Sequence, residues 1–587
     1  MTHDIRIGPD EWEPALRATD GPQLVVAGPG TGKTRFLVQR VKHLITSGTA
    51  TPEQILILTF SRRSASDIRS RISREIGGSF TQINCSTFHS FASRLLEAEG
   101  TDVVGWDSMP TLLTGPEQVE LVSELLRSEQ PADWPTQFRS LLGSRTFAAD
   151  VTDFLLRARE RRLGSDDIRE MLPGHPDWKG LPDFIDRYHR ELHSRSRIDY
   201  GTLLDTSIGV LADERVSKAI AAQYRYVLVD EYQDTSPAQA ALLATFHRAT
   251  PNLMVTGDPY QSIYSFRGAS IRNIETFPAT FRGADGAPAT RIVLTTSFRV
   301  PTEILDSALS LTSRAQLPGG AGPVEPASHH GSVEAFVFDQ TSAEADWIAS
   351  EIERLHLIDQ VPYARIAVLL RSTRHLVTEL SRALARRAIP HEPPDRRLVD
   401  HPAIHLIRDI ATVASAPDTT SPAAVDRALR RLLLGPLFRL PLALERELVR
   451  ERRRTGDPWT EILDRRLDGV TDLVSVISDG AWAIEKPAAD GFWHLWEHVD
   501  RIADLAIDPN MGEFRAAWTA FSQALERQSE RDPSITLIDY FRLADSDDFE
   551  AQPLLSHRSS DGDRITLTTL HQAKGLEFDV VFIADAA

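Results

Sequence analysis

The chain has 587 residues, 41% of them apolar, enough for several buried cores and for about three to five domains by the usual length relation. Its 65 basic and 83 acidic residues give a formal charge of −18, which excludes a globally basic nucleic-acid coat but leaves locally charged grooves open. The single cysteine, Cys85, excludes an intrachain disulfide framework or a cysteine-rich zinc site.

The N-terminus carries no apolar signal segment, and no apolar run reaches membrane-spanning length. The expectation is a soluble cytoplasmic protein with no membrane contact, and the Arg- and Ala-rich, Lys-poor composition fits a high-GC bacterium. Trp12 and Leu16 read as anchors on one helix face. The apolar run ending at Val26 enters Ala27-Gly28-Pro29-Gly30-Thr31-Gly32-Lys33-Thr34, and a helix with Phe36, Leu37, Val41 and Leu44 on one side follows. This is a strand, a phosphate-binding loop and a helix, with Ala27 at the first motif position. Glycine tolerates the dihedrals that turn backbone N–H groups inward, and the helix N-terminus adds partial positive charge. Lys33 is placed to reach β- and γ-phosphates and Thr34 to ligate Mg²⁺, so ATP and Mg²⁺ are the expected cofactors.

Residues 54–60 read as a buried parallel strand, followed by a basic helix from Ser61 to Ile72 and a third strand from Gln82 to Cys85. From 96 to 205 the pattern is amphipathic helix, including 147–162 and 181–193. Strand character returns at Tyr226–Val229, just before Asp230-Glu231. Far more chain separates Lys33 from Asp230 than a minimal phosphate-loop domain needs, so a helical insertion is expected between them. Strands follow at 252–256 and 291–296, and a Pro- and Gly-rich linker at 318–331. A second α/β pattern has strands at 333–338 and 366–370 and helices at 342–356 and 374–387. Residues 415–560 are helical, with Trp493 and Trp496 expected in their core and Arg446–Arg454 expected as a solvated face. Strands at 565–568 and 580–583 close the pattern. Asp230 at a strand end can hold Mg²⁺, and Glu231 can take a proton from an attacking water.

These motifs carry a family resemblance. DEYQDTSPAQ at 230–239 and GDPYQSIYSFRGA at 257–269 resemble segments of the UvrD/Rep/PcrA helicases of superfamily 1. LTFSRRSASDIRSRI at 58–72, STFHSFASRLL at 86–96, IDYGTLL at 198–204, LTTSFR at 294–299 and TTLHQAKGLEF at 568–578 match further stretches in order. The resemblance implies an α/β fold of two RecA-like parallel-sheet motor domains, each with a mainly helical insertion, and ATP in the cleft between them. The implied domains are 1–95 with 206–290 and 291–414 with 561–587, the second incomplete at its C-terminus. Their insertions are 96–205 and 415–560. Gln261 would sense the γ-phosphate, and Arg299 would reach across from the second domain to the phosphoryl group. Phe298 and Arg35 would sandwich adenine, and Glu577 would hold the ribose. Phe60, Phe88, His89, Tyr264, Phe266 and Arg267 would form a single-stranded DNA track of aromatic and cationic groups.

The implied activity is ATP-dependent 3′→5′ movement on single-stranded DNA and at single-strand/duplex junctions, in repair or recombination. Three departures stand out. Glu11 aligns with the family's adenine-reading Gln, and a carboxylate accepts but does not donate. Ser297 replaces an Asn. The Arg-bearing helix that follows KGLEF in the family is not met before Ala587, so a fragment of a longer protein is expected, or a partner protein supplying the arginine. Two rivals remain at this point. One is the motor portion of a RecB- or AdnA-like helicase–nuclease, suggested by 147–163. The other is a DNA-binding regulatory subunit with little ATPase activity.

Overall fold

The computed structural model describes residues 4–585 except 19, 77–82, 114, 266–267, 316–323, 327–329, 372–375, 393–397, 416–421, 509–510, 532–534 and 547–562. The chain divides into two compact units, 1–335 and 336–587.

In the first unit, strands β1 (Ile5–Ile7), β2 (Gln23–Ala27), β3 (Ile55–Thr59) and β4 (Asn84–Thr87) come first. A two-residue pair, β5 (Thr111–Leu112) with β6 (Arg197–Ile198), brackets the helical insertion, and β7 (Tyr226–Val229), β8 (Asn252–Gly257) and β9 (Thr290–Leu294) complete the sheet. The seven-stranded order is β1-β9-β2-β8-β7-β3-β4, parallel throughout. Alternate side chains of the central strands enter two separate cores. Val26, Leu58, Val229 and Val255 face one; Val25, Ile57, Leu228 and Met254 face the other. Burial on both faces explains why these strands read as continuous apolar runs rather than alternating ones.

The insertion has its own core, from Leu113 to Leu192, around Trp134, Phe147, Phe184 and Tyr188. The helix Tyr200–Ala212 rejoins the sheet's core through Leu203 and Leu204. The strand expected to open the second α/β domain is instead β9, hydrogen-bonded to β2 with Ile292 opposite Val25. An apolar run signals a buried strand but not which sheet receives it. A short parallel pair, β10 (Thr296–Ser297) with β11 (Glu325–Pro326), follows in the same unit.

The second unit has β12 (Ile366–Leu370), β13 (His391–Glu392), β14 (Ile565–Thr569) and β15 (Val580–Ala584), in the order β13-β14-β12-β15 and all parallel. Helices Thr341–Leu357 and Leu376–Arg386 cover Val368, Leu370 and Leu567. Residues 333–338, expected as a strand, form none; Val337 is 96% exposed. Between β13 and β14 a helical body packs around Trp482, Trp518 and Phe492. Trp493 is exposed rather than in that core, while Trp496 lies edge-on to Trp518. Trp482 is fully buried and its indole N–H donates to the Val476 carbonyl at 2.8 Å. Trp482→Ala leaves a large cavity and removes one donor from the Val476 carbonyl, which keeps the Gly480 N–H at 3.5 Å, so it should destabilise this unit by about 3–5 kcal/mol. Urea unfolding followed by far-UV circular dichroism would read that loss.

Candidate nucleotide and DNA site

All the phosphate-site motifs leave the carboxyl ends of neighbouring strands. The loop follows β2, Asp258 follows β8 beside it, and Asp230 follows β7 one strand further. The carboxyl end of an open parallel sheet is where ligands bind in such folds.

Gly30 and Gly32 have φ of +73° and +88°, the left-handed region that glycine occupies without strain. Gly32 then caps the helix Lys33–Thr46. A Cβ on Gly30 would lie 2.5 Å from the Ser297 hydroxyl and 3.3 Å from the Arg299 Cβ. Ser297 is fully buried; its hydroxyl donates to the Pro29 carbonyl at 2.9 Å and accepts from the Val300 N–H at 3.2 Å. The Phe298 N–H donates to the Gly30 carbonyl at 2.9 Å. Serine at 297 therefore clasps the phosphate loop to the segment after β10.

Lys33 is buried, with its ammonium 3.6 Å from Asp258 Oδ2. Burial opposes its charge, but Glu231, Asp258 and Asp230 outweigh that and raise its pKa. The Thr34 hydroxyl donates to Asp230 Oδ2 at 3.0 Å and Thr256 donates to Oδ1. Burial first, and the Glu231 charge second, push Asp230 up to about 6. Burial also raises Asp258, against the pull of Lys33. Gln261 lies on this turn, its amide donating to Asp258 Oδ2 at 2.8 Å. Glu231 has left-handed backbone, φ 56°, and its carboxylate accepts from Gln233.

Phe298 and Arg35 come together beside the loop. The Arg35 guanidinium stands 5.5 Å from the Phe298 ring centre and 5.9 Å from that of Trp12. Trp12 meets Phe298 edge-on at 5.9 Å, and a Cβ on Gly32 would lie 3.2 Å from the Trp12 ring. Glu11 is engaged locally: its carboxylate accepts the Gly8 N–H at 2.9 Å. Arg299 does not come from the second unit. It belongs to residues 1–335, because β9 and β10 keep this segment beside the phosphate loop. Glu577 lies in the second unit, exposed, between β14 and β15.

Of the expected DNA residues, Phe60 and Tyr264 stack with ring centres 4.8 Å apart and planes 17° apart. Phe88 is corrected to a core residue: it is 1% exposed, because the helix capped by Thr87 turns its ring inward beside Phe91 and Leu58. His89 lies edge-on to Tyr200 at 5.3 Å, and burial pushes its imidazole down to about 4. It is neutral at pH 7 and offers phosphates no charge. The unfolded chain binds this proton near pH 6.5 and the folded chain only near 4, so His89 costs the fold stability as pH falls through that window. His89→Gln should flatten the acid-side decline in a urea titration between pH 6.5 and 4. Phe266 and Arg267 lie outside the described residues.

The UvrD/REP helicase N-terminal domain model matches residues 9–282, and the UvrD-like helicase C-terminal domain model matches 514–587. This chain belongs to the UvrD-like helicases. Among its relatives are an ATP-dependent DNA helicase PcrA of Staphylococcus epidermidis, 25% identical over 98% of this chain and 76% of the relative. An ATP-dependent DNA helicase UvrD1 of Mycobacterium tuberculosis is 27% identical over 96% of this chain and 75% of its own length. A PcrA of Bacillus subtilis is 25% identical over 97% and 76%.

This UvrD-like chain also holds site residues that its motifs did not announce. Trp12 read only as a helix anchor and also walls the Arg35–Phe298 pair. Thr256, and Gln233 inside the 230–239 motif, are buried polar residues whose partners are set by strand order, which no local pattern reveals. Asp258, the ion-pair partner of Lys33, had a visible signal: a carboxylate directly after an apolar strand.

Proposed function

We propose that this chain is an ATP-dependent DNA helicase that moves 3′→5′ along single-stranded DNA, engages single-strand/duplex junctions and serves repair or recombination. The observation that carries the reading is one continuous arrangement inside the first unit. Lys33 pairs with Asp258, the Asp258 turn carries Gln261, and three residues further Tyr264 stacks on Phe60. The names of the relatives, ATP-dependent DNA helicases, support it.

The residues fit ATP with Mg²⁺. Gly30 and Gly32 take left-handed backbone where a Cβ would crowd Ser297 or Trp12, and a buried ammonium stands nearby among carboxylates. The Thr34 hydroxyl and Asp230 are oxygen donors suited to Mg²⁺, which takes few protein ligands. Bound there, Mg²⁺ would neutralise charge on the transferred phosphoryl group. Loop N–H groups and Lys33 bind phosphate oxygens, Glu231 accepts the proton of the attacking water, and Gln261 and Arg299 respond to the terminal phosphate. Trp12, Phe298 and Arg35 offer the base its flat surfaces.

ATPase activity with and without single-stranded DNA tests the reading, and DNA-independent or absent turnover would sink it. Unwinding of 3′-tailed against 5′-tailed duplexes tests direction, preference for the 5′ tail being the contrary result. Phe60 and Tyr264 form one stacking platform. Tyr264→Ala should therefore weaken oligo-dT binding by about 1–3 kcal/mol in fluorescence anisotropy. The double variant with Phe60→Ala should lose less than the sum.

A further inference from the structure

We propose that Gln233 is the positioning residue that holds the Glu231 carboxylate and ties it to the turn bearing Asp258, Gln261 and Ser262. This rests on the ATPase reading of the site. The Gln233 side chain is fully buried. Its amide N–H group donates to Glu231 Oε2, and its amide oxygen accepts the Asp258 N–H at 2.9 Å. Only one orientation of the amide serves both neighbours, because reversal would set oxygen against carboxylate and N–H₂ against N–H. The Ser262 hydroxyl donates to the Gln233 main-chain oxygen at 3.2 Å, a second tie to the same turn.

The space for this amide depends on Gly257. A Cβ there would come 3.1 Å from Gln233 Oε1 and 2.9 Å from the Ile274 Cδ1. The Glu231 backbone is itself held in an uncommon conformation: φ is 56°, which L side chains adopt only when their surroundings hold them, and its carbonyl accepts the Asp234 N–H at 3.0 Å. The turn that Gln233 grips also holds Lys33 through Asp258 and leads to Tyr264. One amide thus joins the proton acceptor to the segment that carries the stacking platform.

Gln233→Glu keeps the shape and the acceptor for Asp258 but loses the donor to Glu231. Gln233→Met keeps the volume and loses both. Gly257→Ala leaves Gln233 in place and crowds its amide. For all of them, the affinity for a fluorescent ATP analogue should stay within about threefold of the wild type. Their kcat should fall roughly 10–100-fold with and without single-stranded DNA, as expected when a reacting group is misplaced by about an ångström. Unchanged kcat in both Gln233 variants overturns the proposal. So does loss of nucleotide affinity in step with kcat, which marks a merely structural residue. Wild-type turnover that DNA fails to stimulate would defeat the helicase reading, while the effect of the variants on basal kcat would still decide the role of Gln233. A wild type with no turnover at all would remove the base role of Glu231 and this inference with it.

Discussion

Glu231→Gln is expected to lower kcat for ATP by about 10²–10⁴, the usual contribution of a positioned general base, with nucleotide affinity nearly unchanged. The two effects separate because the ion-pair partner of Lys33 is Asp258 rather than Glu231. Lys33 loses the Glu231 charge but keeps Asp258 at 3.6 Å and the Asp230 charge after the substitution. Asp230 keeps its bonds from Thr34 and Thr256. What is lost is the ability to take a proton, since an amide has no basic oxygen. Steady-state turnover at saturating oligo-dT, alongside equilibrium binding of a fluorescent ATP analogue, measures both quantities. Retained kcat would reassign the base.

Lys33→Ala should behave differently, removing nucleotide affinity and turnover together. Its ammonium is the cation that offsets the buried acidic group of Asp230, Glu231 and Asp258. Burial already holds Asp230 at about 6 and raises Asp258 with the lysine present. Without it, a triphosphate would meet these carboxylates with one buried compensating charge fewer. Loss of one preorganised donor to a developing anion costs about 10²–10³ in kcat, and here weakened binding adds to it in kcat/KM. ATPase rates and analogue binding on the same preparation distinguish this pattern from that of Glu231→Gln.

Much of the phosphate site was legible because its chemistry is local. Gly30, Gly32, Lys33 and Thr34 occupy one loop, and Asp230 ends an apolar run whose meaning as a strand end is unambiguous. The strand at 366–370 was legible because its continuous apolar run marks burial on both faces; that at 580–583 was legible from the same kind of run, although Val581 and Ile583 are exposed. What depended on tertiary pairing was not legible. The run at 291–296 has the composition of any buried strand, and only its hydrogen bonds to β2 assign it to the first sheet. Phe88 sits between two motif residues, and which way its ring turns follows from the Thr87 cap and the core beneath. Gln233 lies inside the 230–239 motif, but its role was not legible, because a buried amide is defined by partners that arrive from another strand.

The outermost strand of the first sheet sets a timetable for synthesis. Ile5 pairs with Ile292, so the first strand to leave the ribosome finds its only neighbour among the described residues in the last strand of that sheet to be made. At bacterial elongation rates of about 5–20 residues per second, that delay is roughly 15–60 s. For most of that interval the nascent chain exposes β2 without β8 or β9 and β3 without β7, a condition that favours chaperone engagement. Ribosome-bound chains ending before residue 290 should consequently be protease-sensitive throughout β1–β4, and those extended well past 335, far enough to clear the exit tunnel, should not.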